Sequence, residues 1–373
     1  MTDIPIAALA ADRAADVRRF LQGTYGDGHY GAEARYFDWL YLRSPCRWYE
    51  GERRAGRMPV NAILDQAGDL AAIHAYLPFD ARTPWGGGTG VWDVEWINGS
   101  GVRGGGRALA THLLAAVDVY GGFGCNDLSA AAFERLGMTV RPEIHRLVAL
   151  TDADAFRALL DREGKLGEAG PLPAGVPPLA VRPAVLDGAR AIPGAALEAY
   201  GERTPFGVGR DRDWLEWRYD RHPFIPYLAI GAAGGGAVLR LEAVVGTAAR
   251  VARLLEFFPL PGGEAELLAA ALAAARDAGA PLLDVFTTGR AEAALLADSA
   301  RALDVDLPAN PRLPYMFQPL EFARANAPNM VFAIGGRAGE NRADPADFRA
   351  GKGDSNQDVL RDPASAPRLT RRP

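Results

Sequence analysis

The segment FDWLYLRSP at residues 37–45 returns as LEWRYDRHP at residues 215–223, with an acid, Trp, Tyr, Arg and Pro at the same relative positions and an offset of 178 residues. That offset is close to half of the 373-residue chain. A sequence that repeats at half its length is most simply two copies of one domain, and a chain this long has room for about two domains of roughly 100–200 residues. Trp39 and Trp217 are then equivalent residues. Either they anchor a helix end before the Pro that stops it, or they line a cleft.

Each copy continues in the same order. In the first, MPVNAILDQ, DLAAIHAYLPF and VWDVEWI alternate as strands, followed by a helix over about 104–118, a short strand over 120–125, and the helix LSAAAFERLG, ended by Gly137. In the second, PYLAIGA, AVLRLEAVVG and VARLLEFFPL are strands, GEAELLAAALAAARDAG is a helix, PLLDVFTT a strand and RAEAALLADSARAL a helix. The expected fold class is therefore α/β (α+β), with a mixed, mainly antiparallel sheet flanked by helices in each domain. The Pro- and Gly-rich stretch 167–183 reads as a linker between a domain over 1–166 and another over 184–337, and the polar, aperiodic residues 338–373 read as an extended or partly disordered tail.

Charge and composition exclude several classes. The net charge is −5, so nothing draws the whole chain to nucleic acid or an anionic membrane. Cys46 and Cys125 are the only cysteines, without metal-ligand spacing, so no disulfide framework or zinc site is expected. The N-terminus has no apolar core of signal-peptide length, and no uninterrupted apolar run reaches the roughly 18 residues of a membrane span. A cytoplasmic protein that engages neither nucleic acid nor membrane is expected.

The stretch GVRGGGRALA at residues 101–110 follows a strand and opens a helix. The first N–H groups of a helix lack partners and carry the positive end of its dipole, and glycines let an anion approach them, so a phosphate is the expected guest. The spacing fits neither GxxxxGK[ST] nor a GxGxxG turn of a parallel βαβ unit, and a single copy is no RGG array. Arg103, Gly106 and Ala108 instead satisfy R/Q-x-x-G-x-G/A. Asn126 stands seven residues before Phe133, which is followed by Glu134, Arg135, Leu136, Gly137 and Met138; this looks like an N-x6-Y-E-K-L-G-F segment. With both motifs in order, the chain resembles the Gcn5-related N-acetyltransferase (GNAT) superfamily, well over roughly residues 5–150 and loosely over 180–335. The resemblance implies a tandem GNAT-like protein of bacterial type. Acetyl-CoA or another acyl-CoA would be co-substrate, with no metal. Trp96, Ile97 and Asn98 would lie along the pantetheine arm, and Arg103, Gly104, Gly105, Gly106, Arg107 and Ala108 around the pyrophosphate, with Asn126 and Phe133 closing the cofactor site.

Acyl transfer to an amine needs a base for the ammonium proton, donors for the oxyanion and an acid for the thiolate. Period-two alternation in VWDVEWI places Asp93 and Glu95 on one face, where two carboxylates about 7 Å apart raise each other's proton affinity. Glu95 is the expected base, with Asp93 beside it. His74 and Tyr76, on one face of the preceding strand, would line the same cleft. The alternative is that these groups only orient neighbours. Phe133 departs from the family, whose Tyr at this place protonates the leaving thiolate; Phe has no proton to give.

In the second copy the matching junction reads FFPLPGGEAE: two prolines lack N–H donors, and Glu264 and Glu266 occupy the first helical turn, where they repel a phosphate. The second half therefore reads as a degenerate, structural partner. The expected acceptor is a small-molecule amine; the segment KGDSNQD at 352–358 resembles the ending of GNAT-like proteins from surface-polysaccharide clusters and points to an amino sugar. The competing readings are a catalytically silent binding module, which Phe133 favours, and a Fem-type aminoacyl-tRNA-dependent transferase, which would want a basic groove.

Overall fold

The computed structural model describes residues 4–99, 102–123, 127–140, 144–162, 164, 172, 174–176, 181–244, 247–300, 303–304, 330–334, 344, 347–351 and 353–354. In the first half, strand β1 (Ala7–Ala10) leads into helix α1 (Ala14–Tyr25) and a short α2 (Ala34–Phe37). A small α3 (Glu50–Arg54) precedes the hairpin strands β2 (Arg57–Leu64), β3 (Leu70–Thr83) and β4 (Gly86–Asn98). Then follow α4 (Gly105–Ala116), β5 (Val119–Phe123), α5 (Asp127–Arg135) and β6 (Thr139–Val140). The chain crosses over through β7 (His145–Leu150) and α6 (Ala153–Arg162).

The second half repeats this plan. It contains β8 (Ala184–Val185), α7 (Gly194–Arg203), β9 (Gly207–Val208), α8 (Arg212–Leu215), β10 (Leu228–Ala232), β11 (Gly235–Ala243) and β12 (Arg250–Pro259). After them come α9 (Glu264–Asp277), β13 (Leu282–Thr287), α10 (Arg290–Ala300), β14 (Leu303–Asp304) and β15 (Met330–Ile334). The fold class is the expected one: two mixed sheets flanked by helices, antiparallel throughout except where β4 pairs with β5 and β12 with β13.

The sheets do not divide where the expected linker would divide the chain. One runs β1-β2-β3-β4-β5-β15-β6, with β9 on the side of β3, and the other β14-β7-β13-β12-β11-β10-β8. β15, from the end of the chain, fills the slot between β5 and β6, while β7, from the first half, fills the slot between β13 and β14. Each half thus lends the other its sixth strand. A strand with both edges paired is fixed by ladder hydrogen bonds on both sides, so the exchange ties the halves together. Part of the terminal segment joins this core: Phe348 and Ala350 are fully buried and Asp354 nearly so.

The repeated motif lies at the junction. Trp39 and Trp217 are buried and stacked, centroids 5.0 Å apart and planes at 17°. The indole N–H of Trp39 donates to the Trp217 carbonyl at 2.8 Å, and that of Trp217 to the Trp39 carbonyl at 2.9 Å. These reciprocal bonds are what a local two-fold relation between the copies produces. In both copies a short helix, capped by Glu33 or Asp211, opens into a π-helical turn over Asp38–Leu42 or Glu216–Asp220.

Candidate functional site

Two features of β4 build the site. The first is a bulge. Ala75 pairs with Glu95 but Tyr76 with Asp93, so Val94 is an extra residue in the ladder. An extra residue reverses the alternation beyond it. Asp93 and Glu95 therefore point to opposite faces of the sheet, and the expectation that they share one is corrected. The second is a parting of strands: β5 pairs with β4 only over Gly90–Asp93, and β4 continues to Asn98 beyond that pairing.

On the helix-covered face lie three of the four residues expected to be catalytic. Nε2 of the fully buried His74 is 3.1 Å from Oδ1 of Asp93 and 3.1 Å from the Tyr120 hydroxyl. Tyr76 packs edge-on against Tyr49, and burial pushes its hydroxyl pKa up. Phe133 is buried against Trp96 and Tyr120, at centroid distances of 4.8 and 5.8 Å, so it belongs to the packing beneath α4 and α5. His74 and Asp93 are brought together here, and Glu95 is not among them.

Glu95 is on the other face, itself buried. Its Oε1 is 3.4 Å from Nε2 of His29 and accepts from the Tyr30 hydroxyl at 3.4 Å. Tyr25 also hydrogen-bonds Glu95; its ring reaches the surface, but desolvation of the hydroxyl end, with the Glu95 charge behind it, raises its pKa far above the usual range. Three polar side chains from residues 25–30 converge on one carboxylate. None of the three was singled out in the sequence, where they stand in the segment TYGDGHYG at residues 24–31. Two tyrosines and a histidine inside that segment were the available signal.

The glycine stretch has an internal steric reason for each residue. Gly104 has φ +80°, the left-handed conformation that favours glycine, and no side chain caps α4. A Cβ on Gly105 would stand 2.5 Å from Val102 and 2.7 Å from the Asn98 side chain, and one on Gly106 only 3.3 Å from the Trp96 indole. Trp96 donates its indole N–H to the Gly106 carbonyl at 3.0 Å, and Asn98 donates to the Val102 carbonyl at 3.0 Å. The end of β4 is thereby clamped to the first turn of α4, where the Gly105 N–H donates to the Val102 carbonyl at 3.2 Å and no side chain supplies a cap; Arg103 and Arg107 are exposed beside it. Ile97 faces the opposite core, and Ala108 is half-buried. Asn126 and Cys125 lie outside the described residues.

The second half repeats the bulge at Leu255, because Val238 pairs with Glu256 and Leu239 with Leu254. Glu256 thus takes the place of Glu95, but its surroundings differ. Arg210 donates to it at 3.1 Å, Tyr219 at 2.8 Å and Arg349 at 3.4 Å, all of them buried. The gap beyond the β12–β13 pairing is filled by the chain itself: Thr287 pairs with Gly351, and the Thr288 N–H donates to the Ala350 carbonyl at 3.0 Å. At the start of α9, the position of a Gly263 Cβ is 2.5 Å from the Gly234 backbone. What remains is a cavity of about 630 Å³ whose walls include Glu264, Glu292 and Arg349.

No protein-family model matches the sequence. No curated protein matches it either. Solved structures do match. The GCN5-related N-acetyltransferase from Anabaena variabilis ATCC 29413 aligns over 88% of this chain and 72% of its own, with a TM-score of 0.54 at 10% identity. The GCN5-related N-acetyltransferase from Kribbella flavida aligns over 76% of this chain at 16% identity and a TM-score of 0.49; this chain spans 63% of its length, under two thirds. Saccharomyces cerevisiae N-myristoyltransferase, in a crystal structure with bound myristoyl-CoA, aligns over 89% of this chain and 82% of its own at 10% identity and a TM-score of 0.46. With the Anabaena likeness and the topology above, the chain has a GNAT-type fold. Among the described residues, no helix is long and apolar enough to cross a membrane.

Proposed function

We propose that the chain is an acyl-CoA-dependent N-acyltransferase whose reaction centre is in the first half and whose acceptor is a primary amine of a small molecule. The observation that carries this reading is the position of Glu95: a buried carboxylate at the bulge where β4 leaves β5, one strand end away from the glycine-built start of α4, which no side chain caps. A thioester arm lying along residues 94–98 would place its phosphates at that helix start, beside Arg103 and Arg107. Its carbonyl would lie near Glu95. Glu95 then takes the proton from the acceptor's ammonium, the amine nitrogen attacks the thioester carbon, the C–S bond breaks as the nitrogen releases its second proton to water, and the thiolate takes a proton back from that water, because Phe133 has none to give. The second half carries no such centre in this reading, since Arg210 and Arg349 neutralise Glu256 and the terminal segment fills its gap. An amino sugar is the acceptor to test first, with acetyl-CoA as donor.

The test is release of free CoA thiol from acetyl-CoA and longer acyl-CoAs in the presence of a panel of primary amines that includes amino sugars. Glu95→Gln is expected to lower kcat about 10²–10⁴-fold with little change in the KM for the thioester. Equal turnover by the variant removes Glu95 from the reaction. One observation favours a silent binding module, the buried Phe133, and thioester binding without turnover on any amine would establish that reading.

A further inference from the structure

His29 has no part in the reaction as written above, yet it is built into the site. Its ring is stacked on Tyr25, with centroids 4.4 Å apart and planes at 23°, and tilted against Tyr30 at 4.5 Å. Its side chain is 10% exposed and that of Glu95 is 7% exposed, so the 3.4 Å approach of the two is poorly screened by water. The groups facing the pair come from four elements: Tyr25 ends α1, Tyr36 in α2 meets Tyr30 edge-on, and Tyr41 lies in the following π turn. Asp93 in β4 acts on the tyrosines through space.

We propose that His29 is a positioning residue for Glu95: its Nε2–H donates to Oε1, holds the carboxylate oriented and anionic, and makes the two side chains titrate as a pair. The proposal rests on the reading of Glu95 as the base. An anion at this range favours the imidazolium over neutral imidazole, and the faces of two tyrosine rings favour it further, while partial burial opposes it. His29 therefore releases its proton at a higher pH with the Glu95 carboxylate in place than without it. Below that pH the imidazolium binds Glu95 most tightly and makes it a poorer base, so turnover falls on the acid side.

The pairing can be measured without knowing the acceptor. The chain has five histidines. In the full-length protein the imidazole C–H resonance of His29, assigned by its loss in His29→Gln, is followed by NMR from pH 5 to 9. In the native protein His29 is expected to titrate about one pH unit above its value in Glu95→Gln. Glu95→Met, which also removes the carboxylate, gives the same comparison should the Gln variant fold poorly. Equal titration with and without the carboxylate overturns the proposal. Turnover separates it from the reading it rests on: an active Glu95→Gln rejects Glu95 as base. An inactive Glu95→Gln beside a His29→Gln with native kcat and native acid limb rejects only His29. The expected His29→Gln result is a kcat about tenfold lower with the acid limb displaced and the KM for acetyl-CoA unchanged.

Discussion

Glu95 owes its place to one residue. Without Val94 as an insert in the ladder, Glu95 would point with Asp93 and His74 beneath α4, away from residues 25–30. Period-two counting cannot see such an insert, because a bulge is a choice of pairing partner and leaves the composition of the strand unchanged. The glycines were legible as glycines that make room, but what they make room for includes the protein itself. A Gly106→Val side chain meets the Trp96 indole, and urea unfolding should show a loss of about 1–3 kcal/mol, as for other overpacked positions. An unchanged midpoint would mean that the Trp96 clamp is loose. At the other conserved feature of the repeat, Trp217→Ala removes both a stacked ring and one of the reciprocal hydrogen bonds. The expected cost, again read by urea unfolding, is about 3–5 kcal/mol.

Among the elements, strands and helices with strong periodicity were readable, and β2 to β5, α4, α5, β10 to β13, α9 and α10 all occur where the alternation or the amphipathic spacing places them. The exchange of β7 and β15 was not readable. Each strand is short and follows a half-domain it does not join, and its partner is fixed by long-range packing. Buried charge in the second sheet was equally hidden. Asp284 is paired with Arg146 at 3.0 Å and with Arg253 at 3.2 Å, and Arg253 also pairs with Glu242, all within the sheet interior. At Glu256, burial raises the pKa, but Arg210 and Arg349 lower it further, so the net shift is downward. Asp354, on the same Arg210, is shifted upward, chiefly by burial. Arg210, Arg349 and Tyr219 all reach Glu256, so it is the better-served anion of the two. A carboxylate with a lowered folded pKa contributes stability that is present above its unfolded value, about 4.3, and lost as pH falls through the folded one. Melting temperatures between pH 7 and 3.5 should therefore fall less steeply with acid in Glu256→Gln than in the native protein, although the variant starts lower. Parallel curves would remove Glu256 from the acid response.

The whole molecule is one folding unit with two unlike clefts. Because each sheet contains a strand of the other half, neither half can complete its sheet alone, and calorimetry should show a single transition with equal calorimetric and van't Hoff enthalpies. Two separated transitions would mean that the exchanged strands are not integral. The duplication gave both halves the same bulge and the same parting of strands, and side chains then distinguished them. In the first, a carboxylate meets His29, Tyr25 and Tyr30, and the helix start has glycines and no side-chain cap. In the second, arginines cover the carboxylate, glutamates occupy the helix start, and residues 350 and 351 lie in the gap. The proposed reaction centre implies one bound thioester per molecule, in the first half. Isothermal titration of acetyl-CoA and myristoyl-CoA into the native chain and into an Arg103→Glu/Arg107→Glu variant, in which both changes are on exposed side chains, tests it most directly. One site per chain is expected, weakened by at least tenfold in the double variant and left intact by Glu264→Gln. Two sites per chain, or binding indifferent to Arg103 and Arg107 but lost with changes around Glu264, would contradict it.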